Sequence, residues 1–119
     1  MTAYKSIIVD NPIEKISRIT LNRANKRNSL SANLRGELFE VLEKNDQDES
    51  ISATIIRGSG KAFSAGYDLT GDPDEKDPYY TASGLGYWPR HVVDGCFKIW
   101  DLAKPVIAQV HGKLIWLNY

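Results

Sequence analysis

Ser64, in the run Ala62-Phe63-Ser64-Ala65-Gly66, is the first residue whose neighbours could support chemistry. A serine set among small residues has the outline of a nucleophile turn, with Ala62 in place of the first glycine. Such a turn sits directly at a strand end. Here residues 58–62 separate Ser64 from the preceding apolar run, so a backbone-turn role is expected and serine hydrolysis is set aside. His91 and His111 would have to serve as its base, and nothing in their spacing supports that. Gly58-Ser59-Gly60-Lys61-Ala62 has the look of a phosphate loop but fails on two counts. Ile55 stands where the first glycine is needed, and Ala62 stands where a Ser or Thr should follow the lysine. One cysteine and two separated histidines give no metal-ligand spacing. Cys96 is expected to pack as a small hydrophobe. Asp72, Asp74, Glu75 and Asp77 read as a solvated acidic loop, and Tyr79, Tyr80, Tyr87 and Trp88 as core or lid.

The elements that must position these residues follow from hydropathy and punctuation. Residues 4–9 and 13–21 read as two strands, with Asp10-Asn11-Pro12 as the turn of an antiparallel hairpin. Ser31 is the expected N-cap of a helix reaching about Asn45. Leu34, Leu38, Val41 and Leu42 fall at helical spacing there, and Glu40 precedes Lys44 by one turn. Residues 52–57 read as a buried strand ended by Gly58. A second helix is expected over 90–103, with Val93, Phe97, Trp100 and Ala103 on one face, stopped by Pro105. Residues 106–110 read as a further strand, punctuated by His111-Gly112. Hairpin, helix, strand, helix, strand implies an α/β domain whose sheet is at least partly parallel.

Composition bounds the partners. The 119 residues suit one domain, and 15 basic residues balance 15 acidic ones. A net charge of zero lacks the long-range field that nucleic acid or an anionic membrane demands. No apolar run approaches the ~20 residues of a membrane span. The N-terminus has neither a secretory nor a transit pattern. A single cysteine cannot form an internal disulfide, so a reducing, cytoplasmic setting is expected.

Three stretches carry more information together than apart: ITLNRANKRNSL (residues 19–30), IIRGSGKAFSAGYDL (55–69) and KPVIAQVHG (104–112). In this order and spacing the chain resembles the N-terminal part of the enoyl-CoA hydratase/isomerase, or crotonase, family over residues 4–112. Ala24 stands where relatives often carry proline. The resemblance implies an incomplete crotonase-like spiral of ββα turns, usually assembled as trimers or hexamers, that binds acyl-CoA thioesters and stabilises a thioester enolate. It implies that the Tyr67 backbone N–H is one oxyanion-hole donor. It implies further that Ser64, Ala65, Gly66, Asp68 and Leu69 shape the binding turn, small residues allowing close approach of the main chain. Lys26 and Arg27 match basic positions near the CoA phosphates. No cofactor is implied beyond the coenzyme A carried by the substrate.

The pattern stops matching after Gly112. The family continues there with a Gly-rich turn, which supplies the second oxyanion donor, and then with the catalytic carboxylates. Lys113-Leu114-Ile115-Trp116-Leu117-Asn118-Tyr119 contains no glycine and no carboxylate. The expected organisation is therefore a crotonase-like part at 1–112 and an aberrant apolar tail at 113–119. Two functions stay open: an inherited hydratase or isomerase activity, inactive in this chain alone, or a non-catalytic acyl-CoA-binding or subunit-interacting half domain.

Overall fold

The computed structural model describes residues 3–68 and 87–112, with the side chains of the second helix from 93 onward. Leu69, the acidic loop, Tyr79, Tyr80 and the 113–119 tail lie outside the described residues, as do the side chains of Tyr87, Trp88 and His91. The elements in chain order are β1 (Ile7–Ile13), β2 (Ile16–Leu21), a 3-10 turn (Ala24–Lys26), α1 (Ala32–Gln47), β3 (Ala53–Gly58), α2 (Tyr87–Trp100) and β4 (Val106–Gln109). They form one open sheet in the order β1-β2-β3-β4. β1 runs antiparallel to β2, while β2, β3 and β4 are mutually parallel. Parallel neighbours need a crossover, and α1 and α2 lie in the two crossovers. The result is the α/β alternation that the sequence implied, with the sheet left unclosed.

α1 starts where its signals placed it. The Ser31 side chain accepts a hydrogen bond from Leu34 N at 3.2 Å, satisfying one amide that the helix cannot. Leu34, Leu38, Phe39, Val41 and Leu42 meet Ile7, Ile19, Leu21 and Ile56 in the core. Residues at alternate positions of a strand share a face, so Ile19 and Leu21 face α1 while Arg18 and Thr20 face away. That second face is mixed, with Ile8, Ile55 and Ile107 beside paired polar side chains. Arg18 donates to Asp10, and Arg57 Nε donates to Thr20 Oγ1 at 2.9 Å.

The hairpin turn is not where the turn residues suggested. Asp10, Asn11 and Pro12 lie inside β1, and the chain reverses at Glu14-Lys15, with Ile13 opposite Ile16. Lys15 supplies the left-handed conformation, φ 66°. Pro12 is tolerated because β1 is an edge strand and the register shifts between Asp10 and Ile13. Asn11 Nδ2 covers part of the irregularity by donating to Ile16 O at 3.0 Å. β1 also starts later than expected. The amides of Lys5 and Ser6 are taken by the Glu37 carboxylate, at 2.8 and 2.6 Å, instead of by the start of a strand ladder.

α2 is shifted toward the N-terminus relative to its expected span and ends at Trp100. The residues beyond it turn so that Lys104 docks on the end of α1. Its amide donates to Asp46 Oδ1 at 2.9 Å and its ammonium to Asn45 O at 2.9 Å, where terminal carbonyls lack helical partners. The expected apolar face of α2 is not covered: Val93, Phe97 and Trp100 are exposed, Trp100 to 82%. Cys96 is exposed too, contrary to the expectation that it packs. An isolated antiparallel bridge to Ala62 sets Gly112, at φ 66°, against Lys61. A Cβ there would stand 2.0 Å from Lys61 O, so only glycine fits.

Candidate functional site

Two loops that are far apart in sequence are laced into one unit. The first follows β2 through the 3-10 turn to Ser31, and the second runs from Ser59 to Asp68 after β3. Asn28 is the pin between them. It is fully buried and held at φ 55°. Its Oδ1 accepts from Arg23 N at 2.8 Å, and its Nδ2 donates to Ser59 O at 2.8 Å and Ala62 O at 2.9 Å. Asparagine suits this position because it tolerates the left-handed region and carries both donor and acceptor.

Ser64, 4% exposed, closes the next link. Its hydroxyl donates to Asn28 O at 2.8 Å and accepts from Gly66 N at 3.1 Å. A hydroxyl engaged in both directions and buried is a turn former, which disposes of Ser64 as a nucleophile. The ring of His111, moreover, contacts Gly60 O through Nε2 at 2.9 Å. Ala65 N donates to Arg27 O at 2.9 Å. Gly66 has φ 86°, a conformation that disfavours any side chain, and its carbonyl accepts from Leu30 N at 2.8 Å.

Tyr67 and Leu30 form a single parallel bridge. Its two bonds use Gly66 O and Asp68 N, the latter donating to Leu30 O at 3.3 Å. In a parallel bridge the central residue's own N–H and C=O point to the side opposite its partner, so the Tyr67 amide is directed away from Leu30. Asp68 pairs with Arg23 at 3.3 Å, with side-chain exposures of 15% and 21%. Arg23 also donates to Ser29 O at 2.7 Å and to Ser29 Oγ at 3.0 Å. The observed contact of Asp68 is thus a clasp between the two loops. Lys26 and Arg27 are exposed at the tip of the first loop, Arg27 in the left-handed region at φ 52°. Except for Leu69, which is outside the described residues, the structure gathers every expected site residue into this one loop pair.

The Tyr67 ring is half-buried, and the Arg35 guanidinium of α1 lies over it, 5.3 Å from its centroid. Burial pushes the Tyr67 phenol above its ordinary range. The Cys96 thiol adds to the rise, and the Arg35 cation opposes it. Sequence reasoning missed Asn28, Arg23 and Arg35. Arg35 did leave a signal, as the lone charge within the apolar stripe of Leu34, Leu38 and Leu42. Asn28 left none beyond its residue type. Among the described residues, no three His, Cys, Asp or Glu gather to hold a metal ion, and no helix is long and apolar enough to cross a membrane.

The chain as a whole is similar to known proteins. Residues 13–115 match the family model described as enoyl-CoA hydratase/isomerase. A probable enoyl-CoA hydratase from Rhizobium meliloti is 36% identical over 92% of this chain and 40% of its own. The mitochondrial Delta(3,5)-Delta(2,4)-dienoyl-CoA isomerase of Homo sapiens is 30% identical over 95% of this chain and 36% of its own. Among solved structures, an enoyl-CoA hydratase/isomerase from Xanthobacter autotrophicus Py2 superposes with a TM-score of 0.73 at 32% identity. That match covers 92% of this chain and 40% of the other. The chain therefore spans 36–40% of the length of these relatives. With the family model matched over most of its residues, the chain belongs to the enoyl-CoA hydratase/isomerase, or crotonase, family.

Proposed function

We propose that this chain binds acyl-CoA thioesters through the paired loops and supplies one half of a crotonase-type oxyanion hole. The observation that carries this reading is the Gly66-Tyr67 turn, pinned on both sides by Leu30 and by Ser64, with the Tyr67 amide directed away from Leu30. Enolate formation puts negative charge on the thioester oxygen. A fixed backbone N–H aimed at that oxygen stabilises the charge without reorganising at the moment of reaction. Lys26 and Arg27 are exposed cations on the loop whose Arg27 carbonyl holds Ala65, which supports a role beside the CoA phosphates. Leu69 contributes to acyl-CoA binding in this reading, and Asp68 acts through its clasp with Arg23.

Turnover by the 119-residue chain alone is expected to be very slow. One missing oxyanion donor costs ~2.7–4 kcal/mol of transition-state stabilisation. Missing acid/base groups remove a further ~10²–10⁴ in rate. Association into a homo-oligomer, as a trimer or hexamer, would give the exposed face of α2 a cover. A cytoplasmic, reducing setting suits the exposed Cys96 thiol. The test is calorimetric titration with coenzyme A and crotonyl-CoA, beside a hydration assay on the same preparation. Saturable binding is expected, with hydration at least several orders of magnitude slower than by a full-length relative. Failure to bind, or turnover within tenfold of such a relative, would overturn the reading.

A further inference from the structure

Arg35 has surroundings unusual for a charged residue. It is 8% exposed, it lies in the apolar stripe of α1, and its Nε is buried with no hydrogen-bond partner. No carboxylate pairs with it among the described residues; the contact its guanidinium makes there is with the face of the Tyr67 ring. That contact meets one face of the cation and leaves the buried Nε–H unanswered, because a guanidinium's donors lie in its plane. A buried charge is ordinarily paired, and an unsatisfied buried donor calls for an explanation in function or in a bound ion. The group that fits a planar fork of donors is a carboxylate or phosphate taken edge-on.

The location narrows the choice. Tyr67 is the residue whose amide is proposed to hold the thioester oxygen, and Arg35 lies one tyrosine side chain away from that amide. An acyl chain of a few carbons that runs from the thioester along the Tyr67 side chain would bring its far end to Arg35. The CoA phosphates, by contrast, are proposed to meet Lys26 and Arg27. We propose that Arg35, stacked on Tyr67, recognises a carboxylate at the far end of the acyl group, so that the chain prefers acyl-CoA thioesters of short dicarboxylic acids. This inference rests on the acyl-CoA reading above and deepens it.

Equilibrium binding of succinyl-CoA and butyryl-CoA tests it, since the two share coenzyme A and chain length and differ in the terminal group. The unmodified chain is expected to bind succinyl-CoA at least tenfold more tightly, about 1.4 kcal/mol. Arg35→Met is expected to abolish the preference while leaving butyryl-CoA affinity within about twofold; Arg35→Lys, which keeps the charge but loses the fork, is expected to retain part of it. Equal affinity of the unmodified chain for both thioesters overturns the proposal whether or not the variants fold. Weakening of both thioesters by the same factor in Arg35→Met also overturns it, and assigns Arg35 to coenzyme A or to packing. Binding of butyryl-CoA without a preference sinks this inference alone. Binding of neither thioester sinks the acyl-CoA reading and this inference with it.

Discussion

Replacing Asn28 by alanine should unlace the two loops. The substitution removes three side-chain hydrogen bonds, to Arg23 N, Ser59 O and Ala62 O. Leaving a buried polar group unmet costs ~1–3 kcal/mol, and the lower end applies here because Arg23, Ser59 and Ala62 are partly exposed and regain some water. Three such losses come to about 3 kcal/mol. Alanine at φ 55° adds roughly 1 kcal/mol that asparagine largely avoids. The expected total, about 4 kcal/mol, is a large share of the ~5–15 kcal/mol that holds an ordinary domain. With a urea slope near 2 kcal/mol/M, the unfolding midpoint should fall by about 2 M. Asn28→Gly separates the contributions, since glycine keeps the left-handed backbone at no cost and should lie about 1 kcal/mol above alanine. Circular dichroism during urea titration measures both. A midpoint shift under about 0.5 M for Asn28→Ala would show that the loops are not held through this side chain.

At Gly66, valine meets an unfavourable φ and crowds the turn, so Gly66→Val should weaken coenzyme A binding at least tenfold more than Tyr67→Phe; equal effects in a titration would count against a backbone role for the turn. The uncovered apolar residues Val93, Phe97 and Trp100 on α2 and Ile107 on β4 should make the purified chain self-associate or bind a hydrophobic dye. Sedimentation of a compact monomer that leaves the dye dark would contradict this. The hydrogen bond from Arg18, aided by its charge, holds the Asp10 carboxyl below its ordinary value. Its folded pKa is depressed, so the pair's contribution is present above about pH 3.9 and is lost as pH falls through the lower folded value. Thermal melts should therefore show Asp10→Asn less stable at neutral pH, with the gap closing in acid; a gap independent of pH would refute the assignment.

How much of this was legible depended on whether local chemistry or distant contact decided each feature. α1 was readable because Ser31 and the leucine spacing act within a turn or two, and the structure agrees to within two residues. The β-hairpin was misplaced because Asp10-Asn11-Pro12 is a strong turn signal that an edge strand can absorb as a bulge, while Lys15 gives no warning of a left-handed φ. The end of α2 was set by Lys104 reaching α1, a contact no window around α2 contains. At the site, Ser64, Ala65, Gly66 and Tyr67 were picked out by the resemblance to the crotonase family, while size and spacing alone indicated a backbone turn. Asn28 was not picked out, because its value lies in carbonyls some thirty positions away.

The parallel register has a kinetic consequence. β1 and β2 can pair as soon as their short turn forms, but Ile16 meets Ala53 only after the chain has closed across α1. Val106 meets Thr54 only after a longer closure still. Each doubling of a closed loop adds only about 0.6 kcal/mol of entropy cost, so the later steps are affordable, though slow, since non-local pairing lengthens the search. β4 is also the last strand on an open edge, its Ile107 half exposed. It should be last to dock and first to detach, so that the amides of Ile107 and Ala108 exchange with solvent while those of Ile19 and Ile55, which lie between β2 and β3, stay protected.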